Sequence, residues 1–152
     1  MAKDSAHIRP AVKKDLKALV NLEFIAFDKD RFSPRRIKYL LTKAHSTMMV
    51  LEQNAEIIGA VYLLWHKTRR TGRIYNIVIA PKLQGKGYGA KLLKRCEQEC
   101  IRRRCLNISL EVRVDNKSAI EFYKKHGFEI TGKLLRYYED GTAGYKMRKI
   151  LS

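Results

Sequence analysis

Acid is what this chain is short of. Fifteen Asp and Glu face thirty-two Lys and Arg in 152 residues, leaving a formal net charge of +17. Long apolar runs are missing too: the longest, IIGAVYLLW at Ile57 to Trp65, falls well below the roughly 20 residues a membrane helix needs. The opening MAKDSAHIRP carries no hydrophobic segment of the secretory kind. Three cysteines, Cys96, Cys100 and Cys105, make an odd set on or near one expected helix, which does not suit a disulfide framework. A reducing cytoplasm is the expected setting, with no membrane partner. His7, His45, His66 and His126 are scattered, and the cysteines lack a second pair at zinc-ligand spacing, so no metal is expected. With no repeat, low-complexity stretch or linker, residues 1–152 are expected to form one domain.

A surplus of positive charge draws polyanions such as nucleic acid, phosphorylated cofactors or acidic peptides. Here it is dispersed, as Lys13-Lys14, Arg35-Arg36, Arg69-Arg70, Arg102 to Arg104 and Lys124-Lys125. Each group alone reads as a solvated helix face or loop tip. Aromatics are not interleaved with them for base stacking, and no DNA specificity is evident. The total points to an anionic partner.

The pattern alternates strands and helices. HIRPA (His7 to Ala11) reads as a first strand. VKKDLKALVNLEFIAF places Leu16, Leu19, Val20 and Phe27 near helical spacing. Ser33 before Pro34 is an N-cap and first-turn pair for a helix to about Lys43. TMMVLEQ and EIIGAVYLLWH form a hairpin about Asn54-Ala55, KTRRTGR is a basic loop, and IYNIVIA is a buried strand. A helix to about Arg104 follows, with Leu92, Leu93, Cys96 and Cys100 on one stripe. After LNISLEV, Asp115 or Asn116 caps a helix ending at Gly127, and FEITGKLL and GYKMRKI close as strands. The order β-α-α-β-β-β-α-β-α-β-β is an α/β arrangement. It implies a mixed, mostly antiparallel sheet of about seven strands with about four helices on its faces.

Between IYNIVIA and the third helix stand Gly85, Gly87 and Gly89, three glycines in five residues. A P-loop would require G-x-x-x-x-G-K-[S/T], which is absent. Gly85, Gly87 and Ala90 formally fit the dinucleotide fingerprint, with Glu111 about twenty residues on. Against it, PKLQ separates the strand from the glycines and too little chain follows for a doubly wound domain. A purely structural tight loop is a third reading. The fourth is a pyrophosphate cradle: Gln84, Gly85, Lys86, Gly87, Tyr88 and Gly89 would offer bare N–H groups leading into a helix N-terminus.

In LNISLEVRV, Leu106, Ile108, Leu110, Val112 and Val114 alternate with Asn107, Ser109, Glu111 and Arg113. A covered central strand is apolar on both faces, so the polar face is expected to line a cleft. Glu111 could equally form a surface ion pair with Arg113. Asn116 and Tyr123, seven residues apart, share a helix face. Taken singly, Asn116 is a good N-cap, Tyr123 a packed aromatic, and His126 an answer to the helix dipole.

QGKGYG resembles the R/Q-x-x-G-x-G/A loop of the GNAT acetyltransferases. LEVRVDNKSAIEFYKKHGF, followed by RYYEDGTAGYKM, is similar to their ribosomal-protein alanine N-acetyltransferase (RimI-like) branch and its N-terminal acetyltransferase relatives. The resemblance runs from about Ile74 to the C-terminus. It implies a GNAT fold and transfer of acetyl from acetyl-CoA to an amine, with CoA as product. Ile77, Val78 and Ile79 would hold the pantetheine arm and the acetyl carbonyl through their backbones. Gln84 and Gly85 through Ala90, including Lys86, Gly87, Tyr88 and Gly89, would cradle the pyrophosphate, and Asn116 would bond the cofactor's arm. Glu111 matches the general base and Tyr123 the general acid, with a backbone N–H of Val78 or Ile79 for the oxyanion. Transfer is expected to be direct, because Cys96 and Cys100 lie on a core stripe.

The expected acceptor is a protein or peptide N-terminal α-amine, ribosome-associated or acidic, handled by a monomer or homodimer. Phe32, Arg35, Arg36, Tyr39, Tyr137 and Tyr138 are expected to wall its cleft. A small-molecule amine, or a non-catalytic basic module binding RNA or ribosomes, are the other readings.

Overall fold

The computed structural model describes residues 5–43 and 45–151. A seven-stranded sheet has the order β1-β2-β3-β4-β5-β7-β6, from β1 (His7–Pro10), β2 (Ser46–Gln53), β3 (Glu56–Trp65), β4 (Thr71–Ile79), β5 (Asn107–Arg113), β6 (Glu129–Leu134) and β7 (Gly144–Ile150). Only the β4–β5 pair is parallel; the other neighbours run antiparallel. Four α-helices join them: α1 (Leu16–Ala26), α2 (Pro34–Thr42), α3 (Tyr88–Arg102) and α4 (Lys117–Lys125). This is the mixed arrangement expected from the sequence.

Local chemistry accounts for the boundaries. The Ser33 side chain accepts from Arg36 N at 3.1 Å and Pro34 opens α2, an N-cap with a pre-set first turn. Asn54 and Ala55 both take positive φ (53° and 61°), as a two-residue hairpin turn between antiparallel strands requires. Gly127, at φ 92°, stops α4. Three expectations shift. Leu106 precedes β5 and is exposed. Phe27 caps α1 from outside it. The second half of KTRRTGR is strand, since β4 begins at Thr71, so Arg73 belongs to the sheet.

Two cores lie on opposite faces of the sheet. On one face Leu92, Leu93, Cys96 and Cys100 of α3 and Ile120 of α4 pack with Phe128, Met147 and the apolar row of β5, Ile108, Leu110 and Val112. Against α1 and α2 pack Leu19, Leu22, Ile37 and Leu40 with Val50, Ala60, Tyr62 and Val78. Burial raises the pKa of the Cys96 and Cys100 thiols, keeping them protonated as small apolar groups of the first core.

Candidate active site

The sheet is split where β4 leaves β5. Their parallel ladder covers only Thr71–Ile74 against Asn107–Leu110, although β4 runs on to Ile79 and β5 to Arg113. A β-bulge marks the departure: Ile74 pairs with Leu63 and Asn76 with Tyr62, leaving Tyr75 as the extra residue. Bulges bend the strand and increase its twist. Tyr75 and Asn76 consequently both face the α1 side, whereas Ile74 and Ile77 pack toward α3. A cleft of about 510 Å³ occupies the split. It is reached from both faces: Glu111, Arg73 and Phe32 line it from the α1 side, and Asn116, Phe122 and Tyr123 from α4.

One wall is backbone. Ala80 N bonds Ile58 O at 2.9 Å, which fixes the alternation of the β3–β4 ladder. Val78 and Asn76 therefore turn their amides to β3, while Ile77 and Ile79 turn theirs to the split. That corrects the oxyanion expectation for Val78, whose N–H belongs to the ladder; Ile79 remains, and Ile77 presents its N–H to the same side. Gln84 spends its side-chain amide on Ile79 O at 3.1 Å, tying the loop to the strand end. Gly85 and Gly87 take φ of 80° and 86°, which favour glycine, and a Cβ on either would meet nothing within 4 Å. Gly89 instead lies in the first turn of α3, where its Cβ position is 3.5 Å from the Phe122 ring. Among the described residues, no acceptor meets the N–H groups of Gly85 through Ala90, and α3 has no side-chain N-cap. Open space above a row of free donors at a helix N-terminus fits a diphosphate.

The other wall is built from side chains. Glu111 is held by Arg73, with Oε1 2.6 Å from Nη2 and Oε2 accepting from Nε at 3.1 Å. Arg73 also donates to the Tyr137 hydroxyl at 3.2 Å. The expected alternative partner, Arg113, is engaged elsewhere, at 2.8 Å from Asp30, 3.1 Å from Asp115 and 2.6 Å from Asp140. It clasps the α1–α2 loop to the β6–β7 loop across the cleft, with its guanidinium 5.0 Å from the Tyr138 ring centre. Tyr123 is 8% exposed, and no described residue bonds its hydroxyl. Burial raises the pKa of this phenol above its ordinary 10.0, which keeps it protonated. Asn116 uses Oδ1 as the α4 N-cap, accepting from Ala119 N at 3.2 Å, which leaves its Nδ2 donors for the cleft. His126 meets Phe122 O at 2.8 Å at the helix end.

Phe32, Tyr137 and Tyr138 line the cleft; Arg35, Arg36 and Tyr39 do not. Tyr39 is 56% exposed. Arg36 backs two of the cleft residues, donating to the Tyr75 hydroxyl and lying over the Phe32 and Tyr75 rings. Glu23 was not anticipated. Only 2% exposed, it accepts from Phe32 N at 3.0 Å and Asn76 Nδ2 at 3.0 Å, joining α1, the α1–α2 loop and the bulge at the cleft floor. Desolvation raises its pKa. Its signal was an acid at i+4 from Leu19 on an apolar stripe. Arg73 had no such local signal, because its segment read as loop. Among the described residues, no group of three His, Cys, Asp or Glu is placed to hold a metal ion.

Residues 13–128 match the acetyltransferase (GNAT) family. The chain belongs to that family. As a GNAT protein it is an acetyl-CoA-dependent N-acetyltransferase. Two uncharacterized N-acetyltransferases of Methanocaldococcus jannaschii are 30% and 32% identical to it, covering 80% and 93% of this chain and 60% and 90% of their own lengths. A putative ribosomal-protein bS18-alanine N-acetyltransferase of Bacillus subtilis is 26% identical over 91% of this chain and 90% of its own. The ribosomal-protein-S18-alanine N-acetyltransferase of Escherichia coli shares the fold, with a TM-score of 0.88 at 24% identity over 97% of this chain and 95% of that one.

Proposed function

We propose that this GNAT protein, read as one domain over residues 1–152, acetylates the N-terminal α-amine of a polypeptide by direct transfer. The observation that carries the reading is that Glu111 and Tyr123, on opposite faces of the sheet, meet one cleft through the split between β4 and β5. The names of the Bacillus relative and of an N-alpha-acetyltransferase 30 from Xenopus laevis, 31% identical over 61% of this chain and 35% of its own length, agree with such an acceptor.

Bound acetyl-CoA supplies an acyl thioester. Gly85 through Ala90 would hold its diphosphate with backbone donors, Ile77 and Ile79 would pair with its arm along the open edge of β4, and Asn116 Nδ2 would donate to it. An Ile77 or Ile79 N–H facing the split would steady negative charge on a carbonyl oxygen. On the acceptor side, an α-amine with a pKa of roughly 7.7–8.0 is partly neutral at physiological pH. Glu111 removes the remaining proton, directly or through water, using carboxylate lone pairs that Arg73 leaves open. Arg73 fixes the carboxylate's orientation. The Tyr123 hydroxyl, protonated and unshared, would give its proton to the thiolate released as the acetyl carbon passes from sulfur to the amine nitrogen. Phe32, Tyr75, Tyr137 and Tyr138 exclude water from the amine's approach.

Incubation with acetyl-CoA and a panel of free N-terminal peptides, read by mass spectrometry, tests this. Peptides should gain one acetyl group on the α-amine, and Glu111→Gln should lower the rate most at acidic pH, where little amine is neutral. Acetylation confined to small amines, or none on any peptide, would overturn the acceptor assignment.

A further inference from the structure

β7 lies inside the sheet, paired to β5 on one side and β6 on the other. Its inward residue Met147 is fully buried, yet the residues on either side of it, Lys146 and Arg148, are exposed. The face they occupy is therefore uncovered in the half of the sheet beyond β4, whereas α1 and α2 cover the other half. Register aligns Arg73, Ser109, Arg148 and Glu129 in one row across four strands, and Glu111 beside Lys146 in the next. Of these, Arg73, Ser109, Glu111, Lys146 and Arg148 line a groove of about 760 Å³, which His66 and Arg69 also line. Arg73 and Glu111 line both this groove and the cleft, so the two adjoin.

The groove is electropositive with no internal answer. Glu111, directly across from Lys146, is taken by Arg73. Among the described residues, neither Lys146 nor Arg148 has a carboxylate within ion-pair distance, even though Glu129 stands opposite Arg148 at the sheet edge. Like charges on one strand face repel, and such a row is tolerated where a counter-charge docks.

We propose that this groove receives acidic side chains of the acceptor polypeptide, downstream of the amine that enters the cleft. The proposal rests on the acceptor being a polypeptide, as argued above. Lys146 is one strand from Glu111, about 5 Å, and Arg148 lies two residues further along β7. At about 3.3 Å per extended residue, acceptor positions three to five reach these cations. A polypeptide suits the groove better than a nucleic acid strand. Single-strand binders stack bases on exposed aromatics, and the indole here, Trp65, is buried beneath Arg103.

The test compares peptides sharing their first two residues but carrying Asp-Glu-Asp, Ser-Gln-Ser or Lys-Gln-Lys at positions three to five. Substrates would be assayed with the wild-type protein and with Lys146→Glu/Arg148→Glu, at low salt and at high salt. The acidic peptide should show a KM about tenfold below the neutral one at low salt, with kcat alike. High salt and the double variant should each erase that advantage, while acetyl-CoA affinity and melting temperature stay unchanged. Equal KM values for acidic and neutral peptides, or an advantage that survives charge reversal, would overturn the groove assignment and leave the peptide activity standing. Failure of every peptide to be acetylated would sink the polypeptide reading instead. Anisotropy with the N-terminally blocked acidic peptide still reads the groove in that case: binding lost on charge reversal supports it, and no binding overturns it. Salt-sensitive binding of an RNA oligonucleotide that the double variant abolishes, without any effect of peptide charge, would overturn it in favour of nucleic acid.

Discussion

The two walls of the split are made of different material. On the α3 side, the groups proposed to hold the diphosphate are main-chain amides, set by the helix start, two left-handed glycines and the free edge of β4. On the α1 side they are side chains held by one another: Glu111 by Arg73, Glu23 by Asn76 and Phe32 N, and two loops by Arg113. Amides come with the fold and survive replacement of most side chains around them. A wall of side chains can be re-cut by changing one or two residues without disturbing the sheet. The first construction suits a ligand that is always the same, and the second suits one that differs from protein to protein.

The largest expected effect falls where the walls meet. Tyr123→Phe should lower kcat by about 100-fold or more while leaving acetyl-CoA affinity unaltered by calorimetry. Its melting temperature should not fall, because the hydroxyl has no protein partner to lose. Unchanged turnover would remove Tyr123 from the chemistry. Gly87→Val probes the amide wall alone. A left-handed backbone costs a non-glycine residue about 1–2 kcal/mol, and its side chain would fill the space above the loop. Acetyl-CoA affinity should drop about tenfold or more, with an unaffected dissociation constant ruling out the cradle.

Arg113→Met probes the other wall. Releasing the clasp should raise KM for the acceptor about threefold to tenfold without moving cofactor affinity; an equal loss on both sides would erase the distinction between the walls. Glu23→Gln should show itself in stability against pH. Because burial raises this carboxyl above its ordinary 4.5, the folded chain keeps a proton that the unfolded chain releases. The stability it contributes is full below that ordinary value and drains as pH rises through the raised one. Chemical denaturation of the Gln variant should lack this slope, and parallel profiles would show that Glu23 is not perturbed. Smallest of all, Arg35→Ala should leave acceptor KM alone where Arg36→Ala raises it slightly.

The same difference in construction governs what the sequence reveals. A glycine loop before a helix is contiguous, so Gly85 through Ala90 could be read as one object, as could the alternation that exposes Glu111. Asn116 and Tyr123 followed from helical spacing. The side-chain wall is assembled from Glu23 and Phe32, Arg73, and Tyr137 and Asp140, three groups far apart along the chain that the folded sheet brings together. Periodicity placed Arg36 and Arg35 on the same helix without saying which would face Tyr75. It also carried no hint that Arg113 would be claimed by three aspartates, leaving Arg73 to hold Glu111. The parity of IYNIVIA hid a further point: an unbroken strand would not turn Tyr75 and Asn76 to one face.

That last irregularity is a matter of counting. Over the stretch facing Tyr62 and Leu63, β4 carries one amino acid more than its neighbour can match. Excise Tyr75 and the tally evens out: the strand could lie straight and its ladder with β5 could run on past Ile74, sealing the aperture through which two reactants must meet. Enzyme and inert scaffold would then differ by a single residue's surplus length, with every chemically active side chain still present.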